Sequence, residues 1–106
     1  MNLGIVLNTN DAETAWNAFR LANAAIGKGH KTSVFLLGKG VECEKTKGGA
    51  FDVQKELITF KEKAGQVLAC GTCLHLRKQK AKICTDSSLD DLLELLENSD
   101  KVISLG

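Results

Sequence analysis

Proline is absent from this 106-residue sequence, so no proline-rich linker divides it. A chain of that length has room for one hydrophobic core built from a handful of elements, and a single domain over residues 1–106 is expected. An excess of either charge is also missing: 14 Lys and Arg stand against 13 Asp and Glu. No broad basic surface is therefore available to bind phosphate backbones by counterion release, and direct nucleic-acid binding is not expected. Long apolar runs are missing too. The opening MNLGIVLNTN has no basic stretch ahead of Leu3 to Leu7, and that run is far shorter than a signal-peptide core or a membrane span. A cytosolic protein without a membrane partner is the expectation. No internal repeat or low-complexity segment is present.

What the chain does contain is an alternation of short apolar runs with amphipathic stretches. Leu3 to Leu7 is continuous and apolar, the pattern of a strand buried on both faces, and it stops at Asn8-Thr9-Asn10-Asp11. Asn10 or Asp11 can cap a helix in which Ala12, Ala15, Trp16, Phe19, Ala22 and Ile26 recur at helical spacing until Gly27 and Gly29. Thr32 to Leu37 reads as a second buried strand. Val53, Leu57, Phe60 and Ala64 make the stripe of a second helix, bounded by Gly65, and Gln66 to Cys70 a third strand. A short helix over about Thr72 to Gln79 and an extended piece at Lys82 to Cys84 follow. Ser87 or Ser88 then caps a helix with Leu89, Leu92, Leu93 and Leu96 facing inward and Leu95 in excess of the stripe; Lys101 to Leu105 closes the chain as a strand. Strands alternating with helices imply right-handed crossovers and a parallel sheet covered on both faces, a three-layer α/β fold of flavodoxin-like type.

One segment lacks any period. Gly38 to Ala50, GKGVECEKTKGGA, mixes charges of both signs with four glycines and reads as a loop long enough to act as a mobile flap. The loop after the first strand, where a flavodoxin holds a phosphate, has no glycine and carries an acidic residue, so a flavin site is disfavoured.

The chemistry-bearing residues concentrate in LACGTCLHLRK, residues 68 to 78. Cys70 falls at the carboxyl end of a strand and at a helix start, where ligands and reactive groups collect in open α/β sheets and where free N–H groups favour a thiolate. Gly71 lets the backbone turn sharply and Thr72 is a candidate cap. Arg77 and Lys78 lie farther along and add positive potential. Cys73 is one turn beyond Cys70, near enough for a disulfide. Three readings stay open at this point: a working Cys70 with a neighbour, a dithiol–disulfide pair of Cys70 and Cys73, or a non-catalytic subunit whose thiols are simply buried. Cys43, Cys70, Cys73 and Cys84 supply only one close pair, a weak pattern for structural zinc, and neither metal nor other cofactor is expected. Cys43 would meet Cys70 only if its loop folds over. His75 and His30 read as surface residues.

Taken in order, the opening LGIVL strand and helix, the GKGVE turn, the strand-cysteine-helix unit LACGTCLHLR and the closing LLENSDKVISL resemble the DsrE-type proteins, which include the TusD and YchN groups. The resemblance covers nearly the whole chain. It implies a sulfur-handling role in which Cys70 accepts sulfane sulfur as a persulfide and passes it to a partner thiol, with Arg77 in the following helix and the Gly38 to Ala50 loop shielding the persulfide. It also implies a homotrimer or homohexamer; donor and acceptor proteins are not named by these residues. The chain departs from the minimal one-cysteine pattern in carrying Cys73, a thiol able to discharge a persulfide as sulfide and leave a disulfide.

Overall fold

The first apolar run forms β1 (Asn2–Leu7) in a computed structural model that describes residues Met1–Gly106. Asp11 caps α1 (Ala12–Gly27), its carboxylate accepting from the Thr14 N–H at 2.9 Å. After β2 (Lys31–Leu36) the chain enters a 3-10 helix, Gly38–Lys45. Asp52 caps α2 (Val53–Glu62), which leads into β3 (Gln66–Cys70), α3 (Gly71–Leu76), β4 (Thr85–Ser87), α4 (Leu89–Glu97) and β5 (Lys101–Leu105). All five strands are parallel, in the order β4-β3-β2-β1-β5. No helix is long and apolar enough to cross a membrane.

Register divides the sheet into two unlike faces, because successive side chains along a strand point to opposite sides. Ile5, Val34 and Val67 stand side by side and are fully buried. They meet the inner stripes of α1 and α2, where Ala15, Ala18, Phe19, Val53, Leu57 and Phe60 are 0% exposed. The Phe19 and Phe60 rings, 6.1 Å apart and tilted, close the seam between the two helices. On the other face Gly4 aligns with Ser33 and, through it, Gln66. There α4 approaches: a Cβ on Gly4 would stand 2.8 Å from Leu95 Cδ2 and from Ser99 Oγ, so the glycine is the seat of the closing helix. Helices on both faces of a parallel sheet make the expected three-layer α/β fold.

Four local expectations are overturned. The first part of the segment after β2, Gly38–Lys45, is a packed 3-10 helix and not a flap, because Val41, Cys43 and Glu44 are buried and a Cβ on Gly40 would collide with the Leu7 carbonyl; residues 46–50 are irregular, as expected of a loop. Its glycines serve close approach as well as turning. The extended piece after α3 lies at Thr85–Ser87 and not Lys82 to Cys84, since the N–H groups of Lys82, Ile83 and Cys84 are held by the Glu44 carboxylate instead of a strand neighbour. The helix after β3 stops at Leu76, short of Gln79, with Lys78 in the left-handed region at φ 51. In α4 the capping box of Ser88 and Asp91 sets a phase that turns Leu92 and Leu95 toward the core. Leu89, Leu93 and Leu96 face out, at 59%, 57% and 37% exposure.

Candidate functional site

Cys70 ends β3 and is the N-cap residue of α3, with extended backbone angles and no side-chain capping bond. Cys70, and not Thr72, therefore occupies the cap position, and Thr72 is exposed on the first turn. Gly71 is needed for space: a Cβ there would stand 2.6 Å from Asp86 Oδ1 and 3.0 Å from the Ser87 carbonyl, so β4 can pack against the start of α3 only with glycine between them. Cys70 is 3% exposed. Burial pushes its thiol up; the Cys73 N–H opposes this, the Cys73 side chain adds to the rise, and the Thr72 N–H again opposes it. The helix start thus supplies the expected N–H help, yet desolvation outweighs it. Cys70 rests as a thiol.

Cys73 is partly exposed and both it and Cys70 are free thiols. Its Sγ accepts the Gly38 N–H at 3.3 Å. Gly38 has φ 57, a conformation in which a side chain would be strained, and a Cβ would also press on Asn8 Oδ1. The glycine at the exit of β2 is what aims this N–H across to α3.

Arg77 is committed elsewhere than to the thiols. Its Nε donates to Glu42 Oε2 at 2.6 Å and its Nη1 to the Cys73 carbonyl at 3.1 Å. Asn10 Nδ2 donates to the other oxygen of Glu42, and the Arg77 bond first, then the Asn10 bond, hold that carboxyl below its usual range. Gln79 Nε2 donates to the Val41 carbonyl at 2.8 Å. Asn10, Glu42, Lys45, Thr46, Arg77 and Gln79 together line a polar depression of about 410 Å³. A second polar groove, about 400 Å³, lies between α4 and the less covered sheet face, and no cysteine lines it.

The remaining two thiols form a separate buried group around Glu44, a residue that sequence reasoning passed over. Glu44 is 3% exposed and accepts from the N–H groups of Lys82, Ile83 and Cys84 at 3.0, 3.2 and 3.1 Å, and from Cys84 Sγ at 2.9 Å. Burial pushes this carboxyl up, but the four hydrogen bonds win and keep it below the usual range. Its charge acts back on the thiols. Burial and then Glu44 push Cys43 up to about 12; burial, the bond to Glu44 and its charge push Cys84 up further. The only sequence signal of this packing is the apolar Val41 and Cys43 alternating with Glu42 and Glu44. The four cysteines do not converge, and no three His, Cys, Asp or Glu side chains gather in metal-holding geometry. His75 is exposed on α3, and His30 Nδ1 lies 3.0 Å from the terminal amine.

The model of the DsrE/DsrF-like family aligns with residues 1–105. The chain belongs to the DsrE/DsrF-like family. Among solved structures, a conserved protein of unknown function from Bacteroides thetaiotaomicron superposes with a TM-score of 0.79 at 23% identity, over 97% of this chain and 93% of that one. That likeness concerns the fold. None of the curated proteins matches. In this DsrE/DsrF-like chain the corner built by β3, α3 and the exit of β2 brings Cys70, Gly71, Cys73 and Gly38 together. It leaves Cys43 and Cys84 in the Glu44 group and turns Arg77 toward Glu42.

Proposed function

We propose that this DsrE/DsrF-like chain is a sulfur carrier or sulfurtransferase-type subunit that accepts sulfane sulfur as a persulfide on Cys70 and releases it to a partner thiol. The observation that carries the reading is the placement of Cys70, at a strand end and helix cap, in a family that generally relays sulfur. A buried thiol is a quiet resting state, and the same burial keeps a bound sulfur away from water and oxidants. Attack on a donor persulfide R–S–SH transfers the outer sulfur, breaks the donor S–S bond and sends its electron pair out as the donor thiolate. No oxidant or reductant is consumed. A cytosolic location, where thiols stay reduced, belongs to this reading. So does a trimer or hexamer, supported by the outward Leu89, Leu93 and Leu96 of α4 and by Val102, 47% exposed on β5.

The test is retention. After incubation with a persulfide donor and removal of that donor, intact-protein mass spectrometry is expected to find one added sulfur, mapped to Cys70; Cys70→Ser retains none. Retained sulfur on any other cysteine, or none on the wild type, overturns the proposal. A dithiol–disulfide role is favoured by one observation, two free thiols one helical turn apart at the start of α3. It requires a two-electron redox couple that vanishes in Cys73→Ser.

A further inference from the structure

The two thiols of the β3–α3 corner differ in access and in their partners. Cys70 sits at the carboxyl end of β3, 3% exposed, among the core residues. Cys73 packs against that core but keeps a solvent side, on the same short helix whose Thr72, His75 and Leu76 are exposed. Leu76, one turn from Cys73, is 74% exposed. Anything arriving from solvent meets Cys73 before Cys70. Cys70 is the cap residue of α3 and Cys73 lies in its first turn, so the two thiols are one helical turn apart. Only Cys73 has a donor from outside its own helix, the Gly38 N–H on Sγ.

Resting on the reading of Cys70 as the carrier, we infer that Cys73 is the receiving thiol and Cys70 the holding thiol, sulfur crossing from the first to the second inside the corner. In the first step the Cys73 thiolate attacks the outer sulfur of a donor persulfide R–S–SH. The donor S–S bond breaks, its electron pair leaves on the donor thiolate, and Cys73–S–SH forms. In the second, the Cys70 thiol gives up its proton to solvent and attacks the same outer sulfur. The bond from that sulfur to Cys73 breaks and Cys70–S–SH forms. The electron pair returns to Cys73 Sγ, where the Gly38 N–H receives the negative charge. Each step exchanges one S–S bond for another, with no net oxidation. The competing reaction, attack by one thiol on the inner sulfur of the other's persulfide, would give a Cys70–Cys73 disulfide and hydrosulfide.

Glutathione persulfide is the probe for the test, with rapid alkylating quench and fragment mass spectrometry of the peptide carrying both cysteines. Wild type is expected to show sulfur on Cys73 at the earliest times and on Cys70 later. Cys73→Ser and Cys73→Ala, used together so that one misfolded variant does not decide the matter, should load Cys70 at least about tenfold more slowly. Cys70→Ser should load Cys73 at the wild-type early rate and give that sulfur up to added reduced glutathione, which forms glutathione persulfide as the electron pair returns to Cys73 Sγ. Wild-type loading of Cys70 in both Cys73 variants overturns the inference and leaves the carrier reading standing. Loading in neither the wild type nor any variant overturns both. Prompt hydrosulfide release with a disulfide in the wild type overturns the inference in favour of the dithiol role.

Discussion

Glu44 offers the sharpest quantitative test of how the site is held. Its carboxylate joins the 3-10 helix to Lys82, Ile83 and Cys84 through three backbone N–H groups and one thiol. Net contributions of hydrogen bonds to a charged acceptor run to about 1.5–3 kcal/mol each, and a donor left buried without a partner costs about 1–3 kcal/mol. Water reaches part of this loop in Glu44→Ala, so the terms do not add in full; a loss of about 3–5 kcal/mol is expected, in the range seen on breaking a buried charged network. Glu44→Gln keeps the shape and one acceptor oxygen but turns an NH2 toward donors, and should lose about 2 kcal/mol. Urea unfolding with the thiols kept reduced measures both.

The pH arm follows from the direction of the shift. The folded carboxyl lies below its ordinary value of 4.5, so its stabilisation is complete above that value and disappears as the pH falls through the lower, folded one. The stability gap between wild type and Glu44→Gln should therefore be flat at neutral pH and close on acidification below about 4.5. A loss below about 1 kcal/mol in Glu44→Ala, or a gap indifferent to acid, refutes the argument that a charged carboxylate fastens the two segments.

Gly71→Ala should lower stability by about 1–3 kcal/mol, read as a drop in melting temperature, because its Cβ runs into Asp86 and the Ser87 carbonyl; an unchanged Tm would remove the steric account of that corner. Alkylation of the native protein should modify Cys73 first, Cys70 more slowly, and Cys43 and Cys84 only on unfolding, since burial holds the last two far from their thiolates. Native labelling of Cys84 at the unfolded rate would contradict the Glu44 group. Leu93→Glu, at an outward position of α4, should shift sedimentation toward smaller species while leaving the helical circular dichroism intact. A wild type already monomeric at micromolar concentration would end the oligomer proposal.

The parts of the fold that were legible in the sequence are those whose cause is local. Leu3 to Leu7, the Asp11 cap with its helical stripe and the QVLAC strand each carry their own period, so β1, α1 and β3 follow directly. The 3-10 helix was hidden because its packing partner is remote: Glu44 meets Cys84 across 40 residues, and nothing in GKGVECEK announces that pairing. The phase of α4 was hidden for another reason. With five leucines on so short a helix every side looks apolar, and the capping box together with the space over Gly4 that Leu95 fills selects the inward pair Leu92 and Leu95. At the site, the position of Cys70 could be read, whereas the N–H of Gly38 and the pairing of Arg77 with Glu42 could not, because main-chain donors and bridging carboxylates leave no pattern in composition.

The two rims of the sheet are unequal, and this bears on how copies can meet. At one rim β4 offers three residues, at the other β5 offers five. Open-ended strand addition needs a usable rim on each side of every copy, one to give and one to receive. A rim of three residues is too short to template a neighbour, so pairing through β5 would consume the only adequate edge of both copies and stop at two. Runaway cross-strand aggregation is thereby blocked by geometry, and any larger ring has to be assembled through helix faces.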